Sequence, residues 1–276
     1  MTEASVFDSI SSDLAAGRTE GLTERILAVS EATADPFELL KCMSLLKLLP
    51  NDGTESKIAN RLVDITEDKD RYQVAKGLYN LDCPYFALTI LKPISDGDDR
   101  IIRLRCQCLV SLEEFESAMD EYGGIGNPCF NDRIMLSSIQ SSLGEHQLAI
   151  QTATELLAEQ PGDYDVRIAY VNALIMGGRS KDALKYAREG VKDKSADSNA
   201  VAAYVLRVLG NVKAAGGYAS RAVQLNNEHI GAMETLGICL ALKGEYEKAK
   251  IVAGAINEIS PGDKAAINIL SYCEGH

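Results

Sequence analysis

The side chains with the most reactive chemistry are few and scattered. Seven cysteines stand at positions 42, 83, 106, 108, 129, 239 and 273, and three histidines at 146, 229 and 276. A zinc site needs ligands at short spacing such as Cys-x-x-Cys, and none occurs. Cys106-Gln107-Cys108 is the one close pair; on a helix, residues two apart point in different directions and do not chelate one metal. The odd count argues against a disulfide framework. Gly177-Gly178 and Gly216-Gly217 are not followed by Lys-Ser/Thr after a strand, so neither is a phosphate loop. No Gly-x-Ser-x-Gly elbow appears, and the many carboxylates read as solvated helix faces. Neither catalysis, a metal nor a cofactor is expected. Tyr72, Lys76 and Tyr79 offer chemistry of another kind: spaced four and three, they share one helical face and present two rings and a cation to a ligand.

Such a face needs a helix beneath it, and the chain is organised to supply helices. Gly144–Ala149, Gly178–Ala183, Gly210–Ala215 and Gly244–Ala249 repeat one short interval, with glycines 34, 32 and 34 residues apart. That period marks a repeat array of helix pairs. In the clearest unit Met233, Leu236, Leu240 and Ala241 recur at helical spacing. Gly244 can take the positive φ that ends this helix, and Glu245 brings negative charge to the start of the next. Tyr246, Ala249, Ala253 and Ile256 continue on the second helix until Pro261 stops it. The alanines have a steric reason, because a methyl is the largest group that fits where two helices cross closely.

Leu236-Gly237, Gly244, Tyr246, Ala249 and Pro261 resemble the tetratricopeptide repeat pattern. Leu136, Gly144, Ala149, Ala153, Leu156 and Pro161 match it in one earlier unit, with Ser137 and His146 in the small and aromatic places. Leu174, Gly178, Ala183 and Ala187 match in a second, and Ala203, Gly210, Ala215, Ala219 and Ala222 in a third. Before residue 127 the units are degenerate: Phe115 and Ala118 keep the aromatic and small residues, whereas Pro84 replaces the glycine turn before Ala87. Pro50-Asn51-Asp52-Gly53 splits two helical patterns within 36–68, and residues 5–16 and 21–32 read as a further pair. No tryptophan occurs, so the family's early aromatic is missing in that form. The resemblance implies an all-α solenoid of stacked antiparallel helix pairs in a right-handed superhelix. The expected organisation is a single array over 1–276, with degenerate pairs in 1–126, well-matched repeats in 127–261 and a terminal helix in 262–276. Gly123-Gly124-Ile125-Gly126-Asn127-Pro128 marks either a bend or a plain loop.

The resemblance also implies that the first helix of each pair lines a concave face. By that analogy the inner positions are Lys69, Tyr72, Lys76 and Tyr79, then Arg100, Arg103 and Gln107. Ser138, Ser141 and Ser142, then Asn172, then Tyr204 and Arg207 follow in later units. The face reads either as a basic, aromatic groove or as core tyrosines beside solvated cations. A clamp that holds chaperone carboxylates in some relatives is missing, since Ile134, Ser138, Ala169, Gly231 and Glu234 fill those places. Formal net charge is −12, with 40 acidic and 28 basic residues, which argues against nucleic acid. No apolar stretch is long enough for a membrane span, and Met1-Thr2-Glu3-Ala4-Ser5 lacks an early cation, so the expected place is the cytoplasm. The expected function is a non-enzymatic scaffold binding a peptide or protein segment. The alternative is a structural subunit that self-associates through Ala265, Ala266, Ile269 and Leu270.

Overall fold

The computed structural model describes residues 3–16, 18–47, 49, 53–94, 97–260 and 262–273. Pro50, Asn51, Asp52, Pro261 and His276, which figure in the sequence reading, lie outside them. The described elements are all helical, and the chain falls into two compact units, Met1–Glu114 and Phe115–His276. The first holds α1 (Glu3–Ala15), α2 (Leu22–Ala32), α3 (Pro36–Leu46), α4 (Glu55–Ile65), α5 (Arg71–Asn80), α6 (Pro84–Leu91) and α7 (Asp99–Ser111). The second holds α8 (Phe115–Tyr122), α9 (Phe130–Ser142), α10 (His146–Glu159), α11 (Tyr164–Met176) and α12 (Ser180–Gly190). After a 3₁₀ turn, Val191–Asp193, come α13 (Ala196–Val208), α14 (Val212–Leu225), α15 (Ile230–Ala241), α16 (Tyr246–Ile259) and α17 (Lys264–Ser271). Among the described residues no helix is long and apolar enough to cross a membrane.

One backbone device recurs along the chain. Gly21, Gly53, Asp82, Glu113, Gly144, Gly178, Gly210 and Gly244 all have φ between +56° and +81°. Each stands one or two residues before an even-numbered helix. Five residues after each lies a side chain at most 2% exposed: Ile26, Ile58, Ala87, Ala118, Ala149, Ala183, Ala215 and Ala249. From Asp82 onward the turns share one hydrogen bond, in which the residue after the left-handed one donates to the carbonyl five residues back. Cys83 N to Leu78 O at 2.9 Å, Glu114 N to Leu109 O at 3.0 Å and Glu145 N to Gln140 O at 2.8 Å are examples. This satisfies a helix-end carbonyl that would otherwise lack a donor. The degenerate repeats therefore keep the turn and change only its residue, to Asp82 and Glu113.

Within the second unit, first helices pack on first helices (α9 on α11, α11 on α13, α13 on α15, α15 on α17), whereas neighbouring second helices make at most glancing contact. The stack is tight on the first-helix side. The first helices are consequently buried nearly all round: α15 buries Ala232, Met233, Thr235, Gly237, Ile238, Cys239 and Ala241. The core of the first unit is built from larger side chains, among them Ile10, Ile26, Leu39, Met43, Leu62, Leu78, Ile90 and Leu91. Arginines close its helix ends. Arg61 donates to the carbonyls of Ser30 and Thr33 at the end of α2, and the buried Arg105 to those of Leu91 and Ile94 at and after the end of α6. A cation there meets the negative end of the helix dipole.

Two local expectations change. Ser141 is buried and donates to the Ser137 carbonyl at 2.9 Å, so it belongs to the packed side of α9 and not to an open face. Ala265, Ala266 and Ile269 of the terminal helix are buried with Ala249, Ala253 and Ile256, so that part of the α17 apolar face is occupied internally, whereas Leu270 stays 38% exposed. Gly237 is the counterpart of that packing: a methyl there would stand 2.7 Å from Ile269 Cγ1.

Tyr164 makes a longer reach. From the start of α11 its ring packs edge-on against His229, centroids 4.7 Å apart, at the start of α15. It also packs with Ala200 and Ala232 and closes on Gly231, whose added methyl would lie 2.9 Å from Tyr164 Cζ. His229 caps α15 by accepting from Ala232 N at 3.2 Å. Its Nε2 lies 3.2 Å from Asp197 Oδ1, an ion-pair distance whose geometry falls short of a hydrogen bond.

Candidate functional site

Of the first-helix positions singled out by sequence, Tyr72, Lys76, Tyr79, Arg100, Arg103 and Gln107 line an open groove in the first unit. Ser138 and Asn172 line one in the second, whereas Lys69, Ser141, Ser142, Tyr204 and Arg207 line neither. In the first unit, α5 and α7 enclose about 260 Å³ lined by Tyr72, Lys76, Tyr79, Asn80, Arg100, Arg103, Leu104 and Gln107. The 3.6-residue period sets the division of labour on α5: Val74, Ala75 and Leu78 are fully buried, Tyr72 and Tyr79 are half-buried against the core, and Lys76 is exposed. Each ring packs on the core and also walls the groove. On α7, Leu104 gives the groove an apolar floor while Arg100 and Gln107 are exposed.

The groove's charges are not equally free. Arg100 pairs with Asp98 at 2.7 Å and its guanidinium sits 5.6 Å from the centre of the Tyr72 ring. That arginine, through its side-chain and backbone donors, holds the Asp98 carboxyl down at about 2. Arg103 lies 3.4 Å from Asp99. Lys76 has no ion-pair partner among the described residues. Lys69 lies outside the groove, paired with Glu67 at 2.9 Å.

In the second unit α9 and α11 enclose about 330 Å³ lined by Asn131, Ile134, Ser138, Asp165, Ile168, Ala169 and Asn172. Burial, with Asp163 nearby, raises the Asp165 carboxyl above its ordinary value. The Tyr204 hydroxyl of α13 donates to Asn172 Oδ1 at 2.6 Å, and the Arg207 guanidinium lies 5.2 Å from the centre of the Tyr204 ring. Burial raises the Tyr204 phenol above its usual range, against the opposing pull of the Asn172 hydrogen bond and the Arg207 charge. Asn172, Tyr204 and Arg207 thus form one tied cluster. Arg207 Nε is buried without a partner, so this arginine is partly a packing residue.

Sequence reasoning passed over Asn80 and Leu104, which line the first groove, and Asn131, Asp165 and Ile168 in the second. A signal was present for the first two: Asn80 is four residues after Lys76, and Leu104 four after Arg100.

Residues 142–204 match the family described as tetratricopeptide repeat. A search of curated proteins finds no match. Among solved structures, a tetratricopeptide repeat protein from Parabacteroides merdae ATCC 43184 is 13% identical, with 91% of this chain and 98% of that one covered at a TM-score of 0.49. A thermophilic TPR protein of Thermus thermophilus is 17% identical over 75% and 98%, at 0.42. MamA from Desulfovibrio magneticus RS-1 is 16% identical over 60% and 97%, at 0.34. Over residues 142–204 the chain is similar to the tetratricopeptide repeat family, and the turn-and-crossing frame of that segment extends to either side of it.

Proposed function

We propose that this protein is a non-catalytic cytoplasmic scaffold, and that the α5–α7 groove takes up an acidic, partly apolar segment of a partner protein. The observation that carries the reading is the gathering of Lys76, Arg100, Arg103, Tyr72 and Tyr79 around one open groove in a chain of net charge −12. Tetratricopeptide repeats serve in general as protein-interaction scaffolds, and repeat arrays offer extended surfaces in place of deep reaction pockets. Tyr and Arg are among the side chains that dominate binding energy at interfaces. Leu104 and the two rings give an apolar bed; the cations favour an acidic over a basic segment.

Fluorescence anisotropy with a labelled peptide of alternating glutamate and leucine tests this, with the glutamine analogue as control. Lys76→Glu is the cleanest perturbation, because the residue is exposed and unpaired; it should weaken binding by about 1–3 kcal/mol. Arg103→Glu should also weaken it, although Asp99 already shares that charge. Arg207→Glu is a poorer probe, because its guanidinium lies over the Tyr204 ring and its Nε is buried. Affinity should fall as salt rises, with screening over about 8–10 Å. Equal affinity for the glutamine peptide, together with an unaffected Lys76→Glu variant, would refute the reading.

A further inference from the structure

The α9–α11 groove carries charge of the opposite sign to the α5–α7 groove. Six of its lining residues form repeat-equivalent pairs, each one repeat apart in sequence: Asn131 with Asp165, Ile134 with Ile168, and Ser138 with Asn172. α9 packs directly on α11, so the pairs make three successive zones along one groove of about 330 Å³. Asn131 and Asp165 stand where the two helices begin, the isoleucines and Ala169 form an apolar waist, and Ser138 and Asn172 stand at the far end. Asp165 and Asn172 are two turns apart on α11, or about 10 Å along its axis.

Each polar end is incomplete within the protein. Asp165 is exposed, and its carboxylate has no ion-pair or hydrogen-bond partner among the described residues. Its raised carboxyl has the same origin, partial burial and the neighbouring Asp163 charge, with His229 pulling the other way. Asn131 beside it is likewise exposed and unpartnered among the described residues. At the far end Asn172 is held in one orientation. The Tyr204 hydroxyl of α13 donates to its Oδ1 at 2.6 Å, which leaves the amide nitrogen as the free end. That Nδ2 has no acceptor among the described residues and is open to solvent, on a residue that lines the groove.

A matching ligand needs a cation at one end, an apolar stem, and a hydrogen-bond acceptor about 10 Å from the Asp165 end. An arginine residue has these in order. Its guanidinium gives two parallel N–H groups to a carboxylate and keeps further donors for an amide oxygen. Its methylenes can lie along apolar surface while the head stays in water. Extended, the side chain reaches about 6 Å from Cα, and hydrogen bonds of about 2.9 Å at each end cover the remainder. An acidic segment would meet Asp165 with like charge, and an apolar one would leave both polar ends unmatched. We infer that the α9–α11 groove is a subsite for an arginine of a partner protein. The guanidinium lies on Asp165 and Asn131, the stem crosses Ile134, Ile168 and Ala169, and the arginine's own carbonyl accepts from Asn172 Nδ2. This site does not depend on the acidic preference proposed for α5–α7.

The test is nitrogen–proton NMR of the full chain titrated with N-acetyl-arginine methylamide. Saturable shifts are expected at the side-chain amides of Asn131 and Asn172 and at the Asp165 backbone amide. The citrulline counterpart, of equal length without the charge, should bind about tenfold more weakly. Asp165→Asn should weaken the arginine probe about tenfold and leave the citrulline probe unchanged, a split that a general loss of structure would not produce. The lysine counterpart should bind several-fold more weakly, because an ammonium cannot make the paired contact. N-acetylagmatine, which lacks the arginine carbonyl, should also bind several-fold more weakly, a readout of Asn172 that leaves its bond to Tyr204 intact. Lys76→Glu should leave arginine binding unchanged, which separates this site from the α5–α7 groove. Analogues that bind as tightly as arginine, an Asp165→Asn variant that behaves like the parent, or shifts that never saturate would overturn the inference.

Discussion

Glu113 offers a direct test of the turn that recurs through this chain. It occupies the place that Gly144, Gly178, Gly210 and Gly244 hold in later repeats, with φ +60°. Its side chain is exposed, so replacing it removes no packing. Holding an L-residue in the left-handed region costs about 1–2 kcal/mol, which Glu113→Gly would relieve. Glycine gives back about 0.5–1 kcal/mol through the greater freedom of the unfolded chain. The net should be a stabilisation of about 0.5–1 kcal/mol, or a few degrees in melting temperature for a chain of this size. Gly144→Ala is the mirror experiment. With φ +80° and no heavy atom within 4 Å of the added methyl, its loss comes from the backbone alone and should be about 0.5–1 kcal/mol. Since repeat arrays need not unfold in one step, amide exchange at Glu114 and Glu145, whose N–H groups close the two turns, should accompany urea unfolding. Protection at Glu114 should rise in the first variant, and protection at Glu145 should fall in the second. If both variants shift in the same direction, the left-handed angle is not what distinguishes these positions.

Ala249→Arg should destabilise its repeat by about 3 kcal/mol or more, because a fully buried methyl at a helix crossing becomes an unpaired charge; a melting curve matching the parent would contradict the packing described. Gly237→Ala gains about 0.5–1 kcal/mol of helix propensity but drives a methyl against Ile269, so it should be destabilising by about 1–2 kcal/mol overall. Combining it with Ile269→Ala should cost less than the two changes summed, and strict additivity in a double-mutant cycle would argue against the contact. Asp13 is held below its ordinary range first by Arg25 of α2 and then by Arg18. A depressed carboxylate stabilises the fold above its unfolded value near 3.9 and loses that contribution as pH falls through the lower folded value. The α1–α2 contact should therefore loosen on acidification below about pH 4, and Asp13→Asn should flatten that dependence in amide exchange across α2.

The sequence displayed the repeat frame where glycine marks the turn and alanine the crossing. It obscured the frame where Asp82 and Glu113 adopt the same backbone angle, because a side chain does not announce its φ. In the first two repeats Ile26 and Ile58 stand at the crossing in place of alanine, so a search for small residues misses them. On α5, the four-and-three spacing of Tyr72, Lys76 and Tyr79 puts them on one helical face, and the α5–α7 groove contains all three. What spacing could not supply is pairing: Asp98 and Asp99 sit at the start of α7 and take up charge from Arg100 and Arg103.

Tyr164 has a consequence for how the second unit comes apart. In an ideal array each repeat interacts only with its immediate neighbours, and stability is a sum of nearest-neighbour terms. A ring that starts on α11 and closes on His229 and Gly231 of α15 adds a next-nearest-neighbour term across the α13–α14 repeat between them. Three repeats are thereby coupled into one cooperative block, and fraying from the C-terminal end should halt at it. Excising the middle repeat would not simply shorten the array by one. It would leave the ring and its glycine seat one repeat out of step.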